Sequence, residues 1–170
     1  MNDAIRPVPA FTLANGVVIP GLGIGTWQVP DGPATYDAVA CALADGYRHV
    51  DTARAYGNEA SVGRAIRDSG IARDEIFVTS KLPAEVKDPA AALASFEATM
   101  AALALDRLDL YLIHAPWPWD RRGADFAREN RAVWQVFETL LDAGRVRAIG
   151  VSNFDVADLQ ALLYGCRVAP

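Results

Sequence analysis

The sequence predicts an α/β fold with a parallel sheet, on three observations. A short apolar run, a polar loop, an alanine-rich amphipathic segment and a glycine follow one another five times along the chain. The apolar runs are nearly continuous, as strands covered on both faces should be. The units recur at roughly 30–35 residues, the length of a right-handed βαβ crossover. A doubly wound sheet and a (β/α)8 barrel both satisfy this pattern.

The elements follow in order. Phe11-Thr-Leu-Ala-Asn15-Gly16-Val-Val-Ile19 sets Asn-Gly between apolar runs, which predicts a hairpin over 11–19 with a type I′ turn. A strand is expected near Leu22–Gly25. The first helix should run from Pro33, suited to a first turn, to Asp45, with Gly46 at C′. Arg48–Asp51 reads as the second strand. Asn58 is a good N-cap for a second helix that ends before Gly70. The third strand is Ile76–Ser80, and Asp88-Pro89 should cap and open the third helix. The fourth strand is Leu108–Ile113, followed by a helix over Arg131–Ala143 that stops at Gly144. Ala148–Val151 is the fifth strand, and the last helix follows Asp155 and ends by Gly165.

The bulk numbers exclude several functions. The 170 residues fit one domain, residues 1–170, with 52% hydrophobic and 22% charged residues. Net charge is −5 and no Lys/Arg cluster is present, so nucleic acid is not an expected partner. No apolar run reaches ~18 residues, so neither a membrane span nor a membrane partner is expected. A cytoplasmic location is the expectation. Cys41 and Cys166 lie far apart and outside any CxxC pair, and read as reduced thiols. Two histidines, His49 and His114, without HxxxH spacing offer no metal site. Gly21-Leu-Gly-Ile-Gly25 lacks the GxGxxG spacing, and reads as a strand whose small residues admit a ligand.

Four groups can do chemistry. Asp51 ends the second strand and Tyr56 follows it in a loop. Lys81 follows the third strand and His114 the fourth. Singly, each has a plain structural use: a turn acid, a rim aromatic, a solvated lysine, a packed histidine. Together they fall at one end of successive parallel strands, where side chains converge. A phenol titrates near ~10, and a neighbouring ammonium favours its phenolate, so Lys81 is expected to lower Tyr56. Asp51 would keep Lys81 charged and oriented. His114 would hydrogen-bond an incoming oxygen or the Tyr56 hydroxyl. The set can protonate a developing alkoxide.

At these residues the sequence resembles the aldo-keto reductase family, along essentially the whole chain. Gly23-Ile-Gly-Thr-Trp27, Gly46-Tyr-Arg-His-Val-Asp51-Thr-Ala-Arg-Ala-Tyr56-Gly-Asn-Glu59, Ser80-Lys81-Leu, Leu108-Asp-Leu-Tyr-Leu-Ile-His114 and Arg147-Ala-Ile-Gly-Val-Ser152-Asn153-Phe154 match its motifs in order. The resemblance implies a (β/α)8 TIM barrel closed at the bottom by the N-terminal hairpin. It implies an NADPH-dependent oxidoreductase that reduces aldehydes or ketones to alcohols, with hydride from the nicotinamide and a proton from Tyr56. Asp51, Lys81 and His114 match the rest of the tetrad. Gly25, Thr26, Asp51, Ser152 and Asn153 match cofactor contacts. Trp27, Tyr56, His114 and Trp117 match the substrate pocket, whose aromatic wall is rearranged by the order His114-Ala-Pro-Trp117-Pro-Trp119.

The resemblance also implies a truncated barrel of about five β/α units, from 22 to 165. Strands 6–8 would be absent, with the glutamine, the stacking aromatic and the basic loop that hold the cofactor. A catalytically inactive fragment and a non-enzymatic redox-sensing module of the same family are the alternatives. Exposed sheet edges would favour self-association.

Overall fold

The computed structural model describes residues 9–170. A two-stranded antiparallel hairpin, β1 (Ala10–Thr12) and β2 (Val18–Pro20), precedes a five-stranded parallel sheet. The sheet strands are β3 (Ile24–Gly25), β4 (His49–Asp51), β5 (Phe77–Leu82), β6 (Leu108–Ile113) and β7 (Val146–Val151). Helices α1 (Pro33–Ala44), α2 (Glu59–Asp68), α3 (Pro89–Leu103), α4 (Ala127–Asp142) and α5 (Val156–Leu163) follow them one for one. The expected α/β class and its five units are therefore present.

Topology separates the two architectures that the sequence pattern left open. A doubly wound sheet reverses its strand order at a switch point. Here the spatial order is β3-β4-β5-β6-β7, the order of the chain. Each helix packs against the next, α1 on α2 through α4 on α5, in one continuous layer. That arrangement is an arc of a barrel wall.

The core lies between this wall and the helices. Val50, Val78, Leu82, Tyr111 and Ile113 from the strands meet Leu43, Phe96, Trp134 and Phe137 from the helices, all with at most 2% exposure. Tyr111 stacks on Phe137 at 4.7 Å and meets Phe96 edge-on at 5.2 Å. The opposite face of the sheet carries the other alternation: His49, Asp51, Thr79, Lys81, Leu110, Leu112 and Gly150. Part of it, with Leu13, Ala148 and Val168, lines an apolar cavity of about 560 Å³.

Local chemistry explains the element ends, with some corrections. Asp88 Oδ1 accepts from Ala91 N and caps α3. Asp155 and Asp158 form a reciprocal capping box on α5. Helix α4 begins four residues before the expected Arg131, where Asp125 Oδ1 accepts from Ala127 N. The hairpin is not closed by a type I′ turn. Only Gly16 has positive φ (84°), Gly16 N donates to Leu13 O and Leu13 N to Val17 O. This is a type I turn followed by a left-handed glycine, which needs one such residue rather than two. Among the described residues, no helix is long and apolar enough to cross a membrane.

Candidate active site

The ladder continues past the strand ends and fixes where each loop departs. Thr26 N donates to Asp51 O, Thr52 N to Thr79 O, His114 N to Leu82 O and Ser152 N to Ile113 O. Asp51, Lys81 and His114 thereby project from the C-terminal ends of β4, β5 and β6 on the inner face. Lys81 stands one rung beyond Asp51, because Asp51 lies opposite Thr79 in the register. A 3-10 turn over Arg54–Tyr56, ended by Gly57 at φ 71°, swings Tyr56 back over the strand ends.

The four groups meet. Lys81 Nζ, in a residue only 6% exposed, donates to Asp51 Oδ1 and to Thr52 O at 2.9 Å. It lies 3.5 Å from Tyr56 Oη, at the outer limit of a hydrogen bond. The His114 and Tyr56 rings contact edge to face at 5.7 Å. No hydrogen bond joins them, and His114 Nδ1 is buried without a partner. The histidine is thus placed beside the phenol rather than bonded to it.

Electrostatics correct one expectation. Burial first, and then the Asp51 carboxylate, raise Tyr56 above the ordinary phenol range. The lysine sits close, but Asp51 neutralises it, so its charge does not dominate at the phenol. Tyr56 is therefore a protonated phenol at neutral pH. Burial, followed by the Lys81 charge, pushes His114 below the usual imidazole range, so it is neutral there too.

The other expected residues divide. Gly25 ends β3 at an exposed position, and a Cβ added to it would meet nothing within 4 Å. Gly21 and Gly23 do not serve a ligand: a Cβ at Gly21 would strike Pro9 O at 2.3 Å, and one at Gly23 the His49 ring at 2.8 Å. Thr26 is buried, with its hydroxyl turned inward to Thr52 and Asn58. Asn153, at φ 61°, donates through Nδ2 to His114 O at 2.7 Å and to Ser152 Oγ at 3.0 Å. Trp27 stands at the rim, 66% exposed.

Two residues escaped the sequence reading. Asn58 occupies the N-cap position of α2, but its side chain makes no cap bond. Fully buried, it donates to Thr26 O and Val29 O, both at 2.9 Å, and accepts from Thr26 and Thr52 hydroxyls at 3.3 Å. It anchors the loop that carries Trp27. Trp119, not Trp117, is the indole against His114, at 5.6 Å and 85°, and Trp117 packs behind it at 5.4 Å. Two Pro-Trp pairs are indistinguishable in sequence; the 3-10 turn over Trp119–Arg121 selects the second.

A strand-end site of this kind on a barrel arc has known counterparts. A profile of the aldo/keto reductase family matches residues 21–169. The chain is 42% identical over 159 residues to the 9,11-endoperoxide prostaglandin H2 reductase of Trypanosoma cruzi, covering 94% of this chain and 53% of that protein. It is 43% identical over 158 residues to the glyoxal reductase of Bacillus subtilis, covering 93% and 54%. A crystal structure of an aldo/keto reductase from Brucella melitensis superposes with a TM-score of 0.88 at 43% identity, covering 96% of this chain and 60% of that one. The chain spans about half the length of the curated relatives it matches. With the matched profile running from the start of the parallel sheet almost to the last residue, the chain belongs to the aldo/keto reductase family.

Proposed function

We propose that this chain carries the proton-transfer site of an NADPH-dependent carbonyl reductase, acting on small-molecule aldehydes or ketones. One observation carries the reading: a protonated, half-buried phenol, Tyr56, with Lys81 Nζ 3.5 Å from its oxygen and a neutral His114 beside it.

The nicotinamide fit rests on the surface around the phenol. Gly25 leaves open space at the end of β3 beside Asp51 on β4, and Ser152 and Asn153 offer hydroxyl and amide groups beyond the end of β7. Asn153 Nδ2 is already committed to His114 O, which leaves its carbonyl oxygen to receive a carboxamide N–H. Bound there, NADPH supplies a hydride to the carbonyl carbon.

The side chains manage the proton. Tyr56 holds it at Oη and releases it to the oxygen as negative charge develops. Lys81 stabilises the phenolate left behind, which matters more in that state than in the resting one. Asp51 and Thr52 O hold the ammonium in place. His114, being neutral, donates one N–H to the same oxygen without competing for the proton. Trp119 and Trp27 restrict water and shape the substrate side.

A second reading has its own support. Relatives carry nearly as much chain again, and the described residues by themselves form five strands of wall. On that reading these residues bind NADPH weakly when alone, and turnover needs high cofactor concentration. NADPH fluorescence titration separates the two, with micromolar or tighter affinity removing the second. The principal test uses glyoxal as probe substrate and follows NADPH absorbance. Tyr56→Phe should lower the rate by about 10²–10⁴, the usual worth of a general acid, with folding unchanged. An unaltered rate removes Tyr56 from the chemistry.

A further inference from the structure

The segment after His114 is gripped in an unusual way. Three consecutive backbone carbonyls each accept from a side-chain nitrogen, and each nitrogen comes from a different element. Asn153, after β7, donates to His114 O at 2.7 Å. Lys87, in the loop between β5 and α3, donates to Ala115 O at 2.8 Å. Asn130, in the first turns of α4, donates to Pro116 O at 2.7 Å. Lys87 Nζ also donates to Asn130 Oδ1 at 2.8 Å, so two of the three donors are tied to each other.

The cost of this arrangement argues for a use. Asn130 is 4% exposed. The Lys87 ammonium is met by two neutral oxygens, and burial pushes it down to about 8 against the weak pull of Glu85, Asp158 and Glu129. A protonated lysine held on neutral acceptors destabilises the fold compared with a solvated one. What it holds is the exit of β6. Ala115 and Pro116 are buried, and one and three residues later the chain carries Trp117 and Trp119, which build the wall against His114.

We propose that Lys87 and Asn130 are positioning residues for substrate selection: their clamp on Ala115 O and Pro116 O sets the stand-off between the Trp117–Trp119 wall and His114. Neither touches the reacting atoms. A fixed wall favours flat, bulky carbonyl compounds that fill the space beside the indole. A small carbonyl compound needs only His114 and Tyr56. The clamp rests on the proposed reductase reading for its kinetic consequence alone.

The test uses Lys87→Met, which keeps the apolar stem, and Asn130→Ser, which shortens the amide. With 4-nitrobenzaldehyde, KM should rise about five- to tenfold, the partial loss of a charge-assisted hydrogen bond. With glyoxal, kcat should stay within about twofold, because the proton-transfer groups are untouched. A purely structural role would shift both substrates alike, and that result overturns the proposal. Amide exchange, read by mass spectrometry without cofactor, should quicken in 115–122 in both variants and stay unchanged in β4 and β5. Unchanged exchange in 115–122, or faster exchange throughout the chain in both variants, also overturns it. If both variants show the local exchange response but wild-type protein turns over neither aldehyde, the clamp stands and the reductase reading fails.

Discussion

Replacing Asn58 separates two readings of one residue by magnitude. As an N-cap of α2, Asn58 would contribute about 1 kcal/mol, and serine would replace it at little cost. As the anchor of the 26–29 loop it does far more. Its fully buried amide donates to Thr26 O and to the partly buried Val29 O, and its carbonyl oxygen receives two buried hydroxyls. Truncation removes both amide donors, leaving Thr26 O with only Val29 N at 3.2 Å and Val29 O with only the Thr35 hydroxyl at 3.4 Å, and takes a buried acceptor from two hydroxyls, so Asn58→Ala should cost about 2–4 kcal/mol. Asn58→Ser should cost nearly as much, because a serine hydroxyl cannot reach both carbonyls. In a chain of this size that is about 4–16 °C in Tm. Urea unfolding of wild type, Asn58→Ala and Asn58→Ser, with m held constant, reads the difference directly. A serine variant within about 0.5 kcal/mol of wild type refutes the anchor and restores the cap.

Other outcomes follow from the same geometry. Lys81→Met removes the cation nearest Tyr56, so the phenol should titrate higher still; an unchanged or lower ultraviolet titration contradicts the electrostatic account. His49 and His114 both titrate below their unfolded value near ~6.5, so the unfolded chain takes up protons first and stability is lost as pH falls below that value. Glu59, raised by burial, acts in the opposite sense. Urea midpoints should therefore drop from pH 7.5 to 5.5, and less so in His49→Gln and His114→Gln; equal pH slopes in these variants and in wild type refute it. The outer edge of β7 has no partner strand among the described residues, and the inner face exposes Leu110 and Leu112. Residues 1–170 alone should self-associate in light scattering, and a clean monomer speaks against that.

Much of the frame was legible because punctuation residues have few uses. Pro33, Gly46, Asp88-Pro89 and Asp155 mark helix ends through fixed φ, positive φ or a side-chain acceptor, and the structure uses each of them that way. The strand ends that hold Asp51, Lys81 and His114 followed from the apolar runs. What stayed hidden depends on contacts across the chain. Asn58 has the same identity as a cap or an anchor, and only the approach of Thr26 and Val29 decides. Tyr56 was expected to be lowered by Lys81, but that ammonium is spent on Asp51, and burial outweighs it. The Asn15-Gly16 turn reads as type I′ from two residues, whereas the pairing of Leu13 with Val17 selects a wider loop. Lys87 and Asn130 are 43 positions apart, and no local pattern joins them.

The central claim is that Tyr56 delivers the proton for hydride reduction of a carbonyl group at these strand ends. NADPH deuterated at the transferring position of its nicotinamide, mixed with an aldehyde and the protein at high cofactor concentration, tests it in one product analysis. The account expects an alcohol with one deuterium on the former carbonyl carbon, formed by wild type and only slowly by Tyr56→Phe. An alcohol without that deuterium, or equal labelled product from Tyr56→Phe, contradicts it.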